Sequence, residues 1–146
     1  MKTFTSEVER SHWLSLHGAM LTGSVAYGVD GPGSDIDWLL DHDTGILLCG
    51  EDMKRQDEAS GDGLFHSVRD GKHNYIIAVD DDFYCRWLVA HAHCMFERPK
   101  EKDRRIAIFR YHLYREGGGT MRDMLYIATS LAAGVVFAKI VLRLMG

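Results

Sequence analysis

The run Ile36-Asp37-Trp38-Leu39-Leu40 limits the folds open to this chain more than any other stretch. Four of its five residues are apolar, and a nearly continuous apolar run of this length is typical of a strand covered on both faces. Such strands belong to sheets that carry helices, and not to sheets with one face in water. The run therefore predicts a layered α/β domain built around a small mixed sheet.

The pattern on either side of that run predicts three helices and three more strands. Because Asp-Gly supports a tight turn, Asp70-Gly71 is predicted to join two of the strands in a hairpin. Residues 51–62 are polar and are predicted to form a loop or an exposed helical turn. Ile106, Phe109 and Leu113 form one stripe of the last helix. The predicted helices cover residues 6–16 (capped by Ser6), 81–95 and 102–114, and the predicted strands cover residues 19–21, 64–68 and 73–79.

The C-terminal segment 117–146 is predicted to be an appendage to one domain formed by residues 1–116. Glycines at 117–119 interrupt the chain, and residues 124–138 carry no charge. A membrane span needs about 20 apolar residues, although Lys139 and Arg143 could extend the usable length by snorkelling. We therefore expect an apolar C-terminal helix in which residues 124–145 pack on the sheet, contact a second copy of the chain or contact a membrane.

Length, composition and cysteine spacing favour a reduced, globular protein. A chain of 146 residues suits one domain, and 46% apolar with 26% charged residues is ordinary for a soluble protein. Cys49, Cys85 and Cys94 are odd in number and show no ligand spacing. The first residues include acids where a signal peptide needs an apolar run. We therefore expect a cytoplasmic location.

Charge is distributed unevenly along a chain whose net charge is −4. Residues 30–82 contain 14 acids and 4 bases, whereas residues 98–115 contain 7 bases and 2 acids. This asymmetry suits a metal site beside an anion site, or else two solvated faces that keep the protein soluble. Lys102 and Arg105 are three residues apart on a predicted helix, so they can share a face toward a triphosphate or an RNA backbone.

Two carboxylates, Asp35 and Asp37, mark the start of the apolar run. In an extended strand, side chains two residues apart point to the same face, about 7 Å apart along the backbone. Mg²⁺ prefers oxygen ligands and keeps several waters, so two carboxylates and substrate phosphates complete a site. Upstream, Gly23 allows a tight turn and Ser24 offers a hydroxyl and an amide to a phosphate oxygen. These parts fit metal-assisted phosphoryl or nucleotidyl transfer; the alternative is a strand end whose acids cap the preceding loop.

Segment 23–38 resembles the signature of the DNA polymerase β-like nucleotidyltransferase superfamily. Gly23-Ser24, ten intervening residues and Asp35-Ile36-Asp37-Trp38 follow its order of hydrophobic-Gly-Gly/Ser, spacer and Asp-hydrophobic-Asp/Glu-hydrophobic. A minor departure is Thr22, which stands in the first hydrophobic position, one place after Leu21. The forms GSVAYG and GSDIDWLL are especially similar to the minimal nucleotidyltransferases. The later stretches NYIIAV, FYCRWLVA and EKDRRIAIFRYHLY are similar to small nucleotidyltransferase-like proteins of phages.

The resemblance implies a short mixed sheet flanked by helices and two bound Mg²⁺ ions. It further implies transfer of a nucleoside monophosphate from a nucleoside triphosphate to an RNA, protein or small-molecule acceptor. Asp35 and Asp37 are then the expected metal ligands and catalytic residues. The residues expected to contact the nucleotide are Gly23, Ser24, Ser34, Lys102 and Arg105.

The chain departs from this resemblance at the third carboxylate. Active members carry a third acid on a neighbouring strand, where this chain reads His73-Asn74-Tyr75. An amide ligates a cation weakly and is a poor general base. Asn74 is therefore expected either to take the place of the acid in the site or to bond its own backbone beside the hairpin. The departure keeps a second function class open: a catalytically weakened relative that acts as a binding or inhibitory module, or as a nucleotide sensor.

Overall fold

The structure, a computed structural model, describes residues 1–55 and 65–114. The chain divides into two units, Met1–Tyr84 and Cys85–Gly146. The predicted boundary between residues 1–116 and 117–146, together with the apolar C-terminal helix, lies outside the described residues. Among the helices that are described, none is long and apolar enough to cross a membrane.

The first unit is built on four strands: β1 (Met20–Thr22), β2 (Ile36–Leu40), β3 (Phe65–Asp70) and β4 (His73–Ala78). Their order in the sheet is β1-β2-β4-β3. β1 is antiparallel to β2, β2 is parallel to β4, and β3 is antiparallel to β4. The prediction of a small mixed sheet in a chain of helices and strands is therefore confirmed.

Six helices accompany the sheet in the described part of the chain. Ser6 caps the first of them, as predicted, by accepting a hydrogen bond from Glu9 N over 3.1 Å. The boundary between the two units falls within the fifth. The helices are α1 (Glu7–Leu16), α2 (Gly23–Ala26), α3 (His42–Cys49), α4 (Glu51–Arg55), α5 (Asp81–Glu97) and α6 (Lys102–Leu113).

The hairpin between β3 and β4 closes one residue later than predicted. Asp70 pairs with His73, so the two turn residues are Gly71 and Lys72 and the predicted Asp70-Gly71 turn is wrong. Gly71 has φ +60°, a conformation that a tight hairpin turn requires and that glycine adopts without strain. Asp70 remains in β3, where its carboxylate accepts a hydrogen bond from Arg10 over 2.5 Å.

α3 is a helix that the sequence patterns did not predict. Asp41 caps it by accepting a hydrogen bond from Thr44 N over 2.7 Å. Gly45 faces the sheet, where a Cβ atom would lie 2.3 Å from Ile77 Cγ2. The missing side chain therefore lets the helix lie directly against β4, although a glycine within a helix costs about 1 kcal/mol relative to alanine.

The buried stripe of α6 also differs from the predicted one. Ile106 is 38% exposed, whereas Ile108, His112 and Leu113 are buried. Phe109 contacts Trp87 edge to face, with ring centroids 4.8 Å apart. The buried stripe includes His112, and a search for apolar residues does not select a histidine. The prediction that Ile106 lies on the buried stripe is therefore wrong.

Alternation along the strands sorts their side chains onto two faces of the sheet. One face carries the hydrophobic core of the first unit, to which Leu14 of α1 and Leu48 of α3 contribute. The other face carries polar side chains near the start of β2 and β4. The core residues contributed by the sheet are Trp38, Leu40, Val68, Tyr75 and Ile77.

Candidate functional site

Five polar side chains meet on the sheet face opposite the core. The strand register sets Asp37 of β2 beside Asn74 of β4, and Asn74 beside Arg69 of β3. Asp35 precedes β2, and its carboxylate contacts Arg69. We call this group the carboxylate cluster; it consists of Asp35, Asp37, Ser67, Arg69 and Asn74.

Asn74, on β4, connects Ser67 of β3 with the carboxylate of Asp37 on β2. Its Nδ2 donates a hydrogen bond to Asp37 Oδ1 over 2.9 Å. Its Oδ1 accepts one from Ser67 Oγ, also over 2.9 Å. Asn74, which was expected to take the place of a third acid, therefore lies beside Asp37, and in this arrangement it presents hydrogen atoms to that carboxylate.

Asp35 forms an ion pair with Arg69, whose Nη2 lies 2.8 Å from Asp35 Oδ2. The Arg69 side chain is 65% exposed and that of Asp35 is 35% exposed. Ion pairs this open to water contribute about 0–1 kcal/mol, because solvent screens them and the long side chain loses freedom. The ion pair offsets the negative charge of Asp35 but restrains the Asp35 side chain only weakly.

Gly23, at the start of α2, lies directly against the carboxylate of Asp37. The Thr22 to Asp37 pairing between β1 and β2 brings the two together. Gly23 has φ +73°, and a Cβ atom there would lie 2.1 Å from Asp37 Oδ2. Only glycine fits both the backbone conformation and the space, so this junction brings main chain to the edge of the carboxylate.

The other predicted nucleotide contacts are placed as follows. Ser24 follows Gly23 in α2 and is partly exposed. Ser34 Oγ accepts a hydrogen bond from Gly31 N over 2.9 Å in the loop before β2. Lys102 is exposed on α6, in the second unit, and Arg105 donates to the backbone oxygens of residues 99 and 100 over 3.0 and 2.6 Å. A role for Lys102 or Arg105 in nucleotide binding stays a prediction.

Burial raises the pKa of the Asp37 carboxyl above its ordinary value. The hydrogen bond from Asn74 acts in the opposite direction; Asp35 raises the pKa further and Arg69 lowers it. The ionised form of Asp37 is therefore less stable in the fold than in water. A cation bound at this carboxylate would relieve that penalty.

Asp37→Asn is expected to raise the melting temperature of the ligand-free protein near neutral pH. The amide keeps an oxygen that can accept from Asn74 and carries no charge to desolvate. Because the pKa of Asp37 is raised in the folded protein, its ionised carboxylate destabilises the wild-type fold above that pKa. This destabilisation disappears as the pH falls through the pKa. Thermal unfolding of both proteins from neutral pH down to about pH 3 should show the advantage of the variant shrinking; an equal or lower melting temperature near neutrality would contradict this.

The donor set of the cluster suits a hard divalent cation. Within the described ranges, no group of three or more His, Cys, Asp or Glu side chains could hold a metal. The cluster itself offers two carboxylates, those of Asp35 and Asp37. Mg²⁺ is commonly bound by one or two carboxylates together with waters and substrate phosphates.

Sequence reasoning missed two members of the cluster, Ser67 and Arg69, as site residues. The predicted turn at Asp70-Gly71 would set Ser67 opposite Asn74, whereas the observed turn sets Arg69 there. Both residues lie on the same face, because side chains two apart on a strand do. The signal that could have identified them is therefore the length and position of the turn.

No protein-family model, curated protein or solved structure matches this chain. The resemblance to the nucleotidyltransferase superfamily is one of sequence motifs, in segment 23–38 and in the later stretches quoted above.

Proposed function

We propose that this chain is a Mg²⁺-dependent nucleotidyltransferase. It would transfer a nucleoside monophosphate from a nucleoside triphosphate to a hydroxyl of an RNA, protein or small-molecule acceptor. The observation that supports the proposal best is the contact between Gly23 and Asp37. These residues belong to the two halves of the signature and are 14 positions apart, yet the space between them excludes a methyl group.

That contact favours a site over a strand end. A loop whose acids only capped it would not require main chain in a left-handed conformation against a partly buried carboxylate. A site that shares the charge of a triphosphate between a metal and backbone amides does require main chain and a carboxylate within one small volume. The partial burial of Asp37 also has a cost that a merely structural acid would avoid by lying in water.

The residues of the chain divide the work as follows. Asp35 and Asp37 would hold the metal, which when bound neutralises charge on the attacking and leaving oxygens. Gly23 and Ser24 would contact the phosphates. The acceptor oxygen forms a bond to the α-phosphorus, the bond to pyrophosphate breaks, and the proton of the acceptor hydroxyl passes to solvent water. Asn74 cannot take that proton, so its role is to hold Asp37 in place.

A second candidate function is a binding or inhibitory module, or a nucleotide sensor, on the same scaffold. The observation that favours it is that both carboxylates already have polar partners, Arg69 and Asn74. The amide in the place of a third acid points the same way, because it removes a candidate base.

Calorimetric titration with each nucleoside triphosphate and Mg²⁺, combined with an assay for pyrophosphate, tests the proposal. We expect metal-dependent binding that weakens at least about tenfold in Asp35→Asn/Asp37→Asn, since a charge-assisted contact is worth about 1.5–3 kcal/mol. Asp43→Asn is the control, because its side chain is 99% exposed on α3, and it should leave the affinity unchanged.

The outcomes separate the candidate functions. Binding with slow pyrophosphate release in the wild type supports the enzyme. Binding without release under all four nucleotides favours a sensor. Absence of metal-dependent binding would overturn the proposal and favour a module that recognises another macromolecule.

A further inference from the structure

We propose that Arg69 is a built-in counter-cation of Asp35, which a divalent metal displaces and which then contacts the phosphates of the bound nucleotide. This inference rests on the proposed function, because it concerns the same site. It assigns Arg69 a positioning role, with two alternative partners, that no sequence motif indicated.

The geometry makes Arg69 the cation nearest to Asp35 among the residues described. Its Nη2 lies 2.8 Å from Asp35 Oδ2, and the register sets it opposite Asn74, on the same face as Asp37. The guanidinium thus reaches Asp35 from β3, across β4.

The charge balance explains why a metal would displace this side chain. Two carboxylates with one guanidinium leave a net charge of −1, whereas two carboxylates with one divalent cation are neutral. A cation bound at Asp35 would lie beside the guanidinium and repel it. Exposed ion pairs contribute up to about 1 kcal/mol, so the pair should reduce the affinity for a metal by about fivefold.

The released guanidinium has an obvious second partner in the proposed complex. A guanidinium presents five donors in a planar fork that fits phosphate oxygens as well as a carboxylate. Arg69 is 65% exposed, so it can change partner without rearrangement of the core. Arg69 therefore opposes metal binding in the absence of the nucleotide and supports nucleotide binding once the metal is present.

Opposite shifts in two affinities test this assignment. In Arg69→Gln, Mn²⁺ alone, measured by the electron paramagnetic resonance signal of the free ion, should bind about fivefold more tightly than in the wild type. Inorganic triphosphate with saturating Mg²⁺ should bind about tenfold more weakly, because a charge-assisted contact is lost. Arg69→Lys, which keeps the charge and loses the fork, should be intermediate in both.

Lys72→Gln is the matched control. It removes one positive charge from an exposed residue three positions away, in the hairpin turn. If the effect of Arg69→Gln were only a change in the overall field, both variants would shift the two affinities alike, and the inference would be overturned.

The remaining outcomes distinguish the inference from the proposed function. Mn²⁺ binding that requires Asp35 and Asp37 but is equal in wild type and Arg69→Gln overturns the role of Arg69 and leaves the proposed function standing. Absence of Mn²⁺ binding in the wild type and in Arg69→Gln overturns both. Tighter Mn²⁺ binding with weaker triphosphate binding supports both.

Discussion

Gly23→Ala is expected to lower the free energy of unfolding by about 3 kcal/mol and to abolish metal-dependent nucleotide binding. An alanine at φ +73° costs about 1–2 kcal/mol. Its Cβ atom would also lie 2.1 Å from Asp37 Oδ2, and relieving such an overlap costs about 1–3 kcal/mol. Because the atom that must move belongs to the carboxylate, the site is expected to lose function before the fold is lost.

Gly28→Ala provides the control for the backbone contribution. Gly28 has φ +67°, and a Cβ atom there meets nothing within 4 Å. Gly28→Ala should therefore lower the free energy of unfolding by only about 1–2 kcal/mol and leave nucleotide binding intact. Urea denaturation and calorimetry on both variants measure the two effects. Equal losses of stability, or retained binding in Gly23→Ala, would show that the contact with Asp37 carries no function.

Asn74→Asp is expected to increase pyrophosphate release in the presence of Mg²⁺ by about 100-fold. The substitution places a third carboxylate beside Asp37 and supplies a group that can accept the proton of the acceptor hydroxyl. General bases contribute about 10²–10⁴-fold, and we expect the lower end because the new acid is not otherwise tuned. The assay requires an acceptor; water serves if no other is identified.

The same substitution should make the fold dependent on the metal. It replaces a donor 2.9 Å from Asp37 Oδ1 with a second acid, so the ligand-free variant loses a hydrogen bond and gains repulsion. Its melting temperature should fall without Mg²⁺ and recover with it. Ser67→Ala removes the donor to Asn74 without changing charge, so its melting temperature should fall slightly and should not recover with Mg²⁺. A loss of stability that Mg²⁺ does not recover would contradict a metal site at this position.

Much of the first unit could be predicted because its signals are local. The apolar run of β2, the cap at Ser6 and the presence of a hairpin between β3 and β4 each reflect a preference that a few neighbouring residues decide. The spacing of Asp35 and Asp37 needs only the two-residue period of a strand to set both on one face. These features carried the prediction of a mixed sheet with two carboxylates at the start of one strand.

The features that escaped prediction depend on contacts between distant residues. α3 contains Gly45, which weakens a helical pattern and is explained only by Ile77, 32 residues later. The hairpin turn depends on the choice of Gly71 over Asp70 for a left-handed conformation. Arg69 entered the cluster through that turn, so its pairing with Asp35 could not follow from either segment alone.

The two-residue turn makes the chemistry of the cluster a test of correct folding. Adding one residue to the turn would shift β3 by one position against β4, and a shift of one turns every side chain of that strand to the other face. Ser67 and Arg69 would then enter the hydrophobic core, and Val68 would leave it. A chain that misaligns this hairpin by one residue therefore loses its interior and its charge balance together.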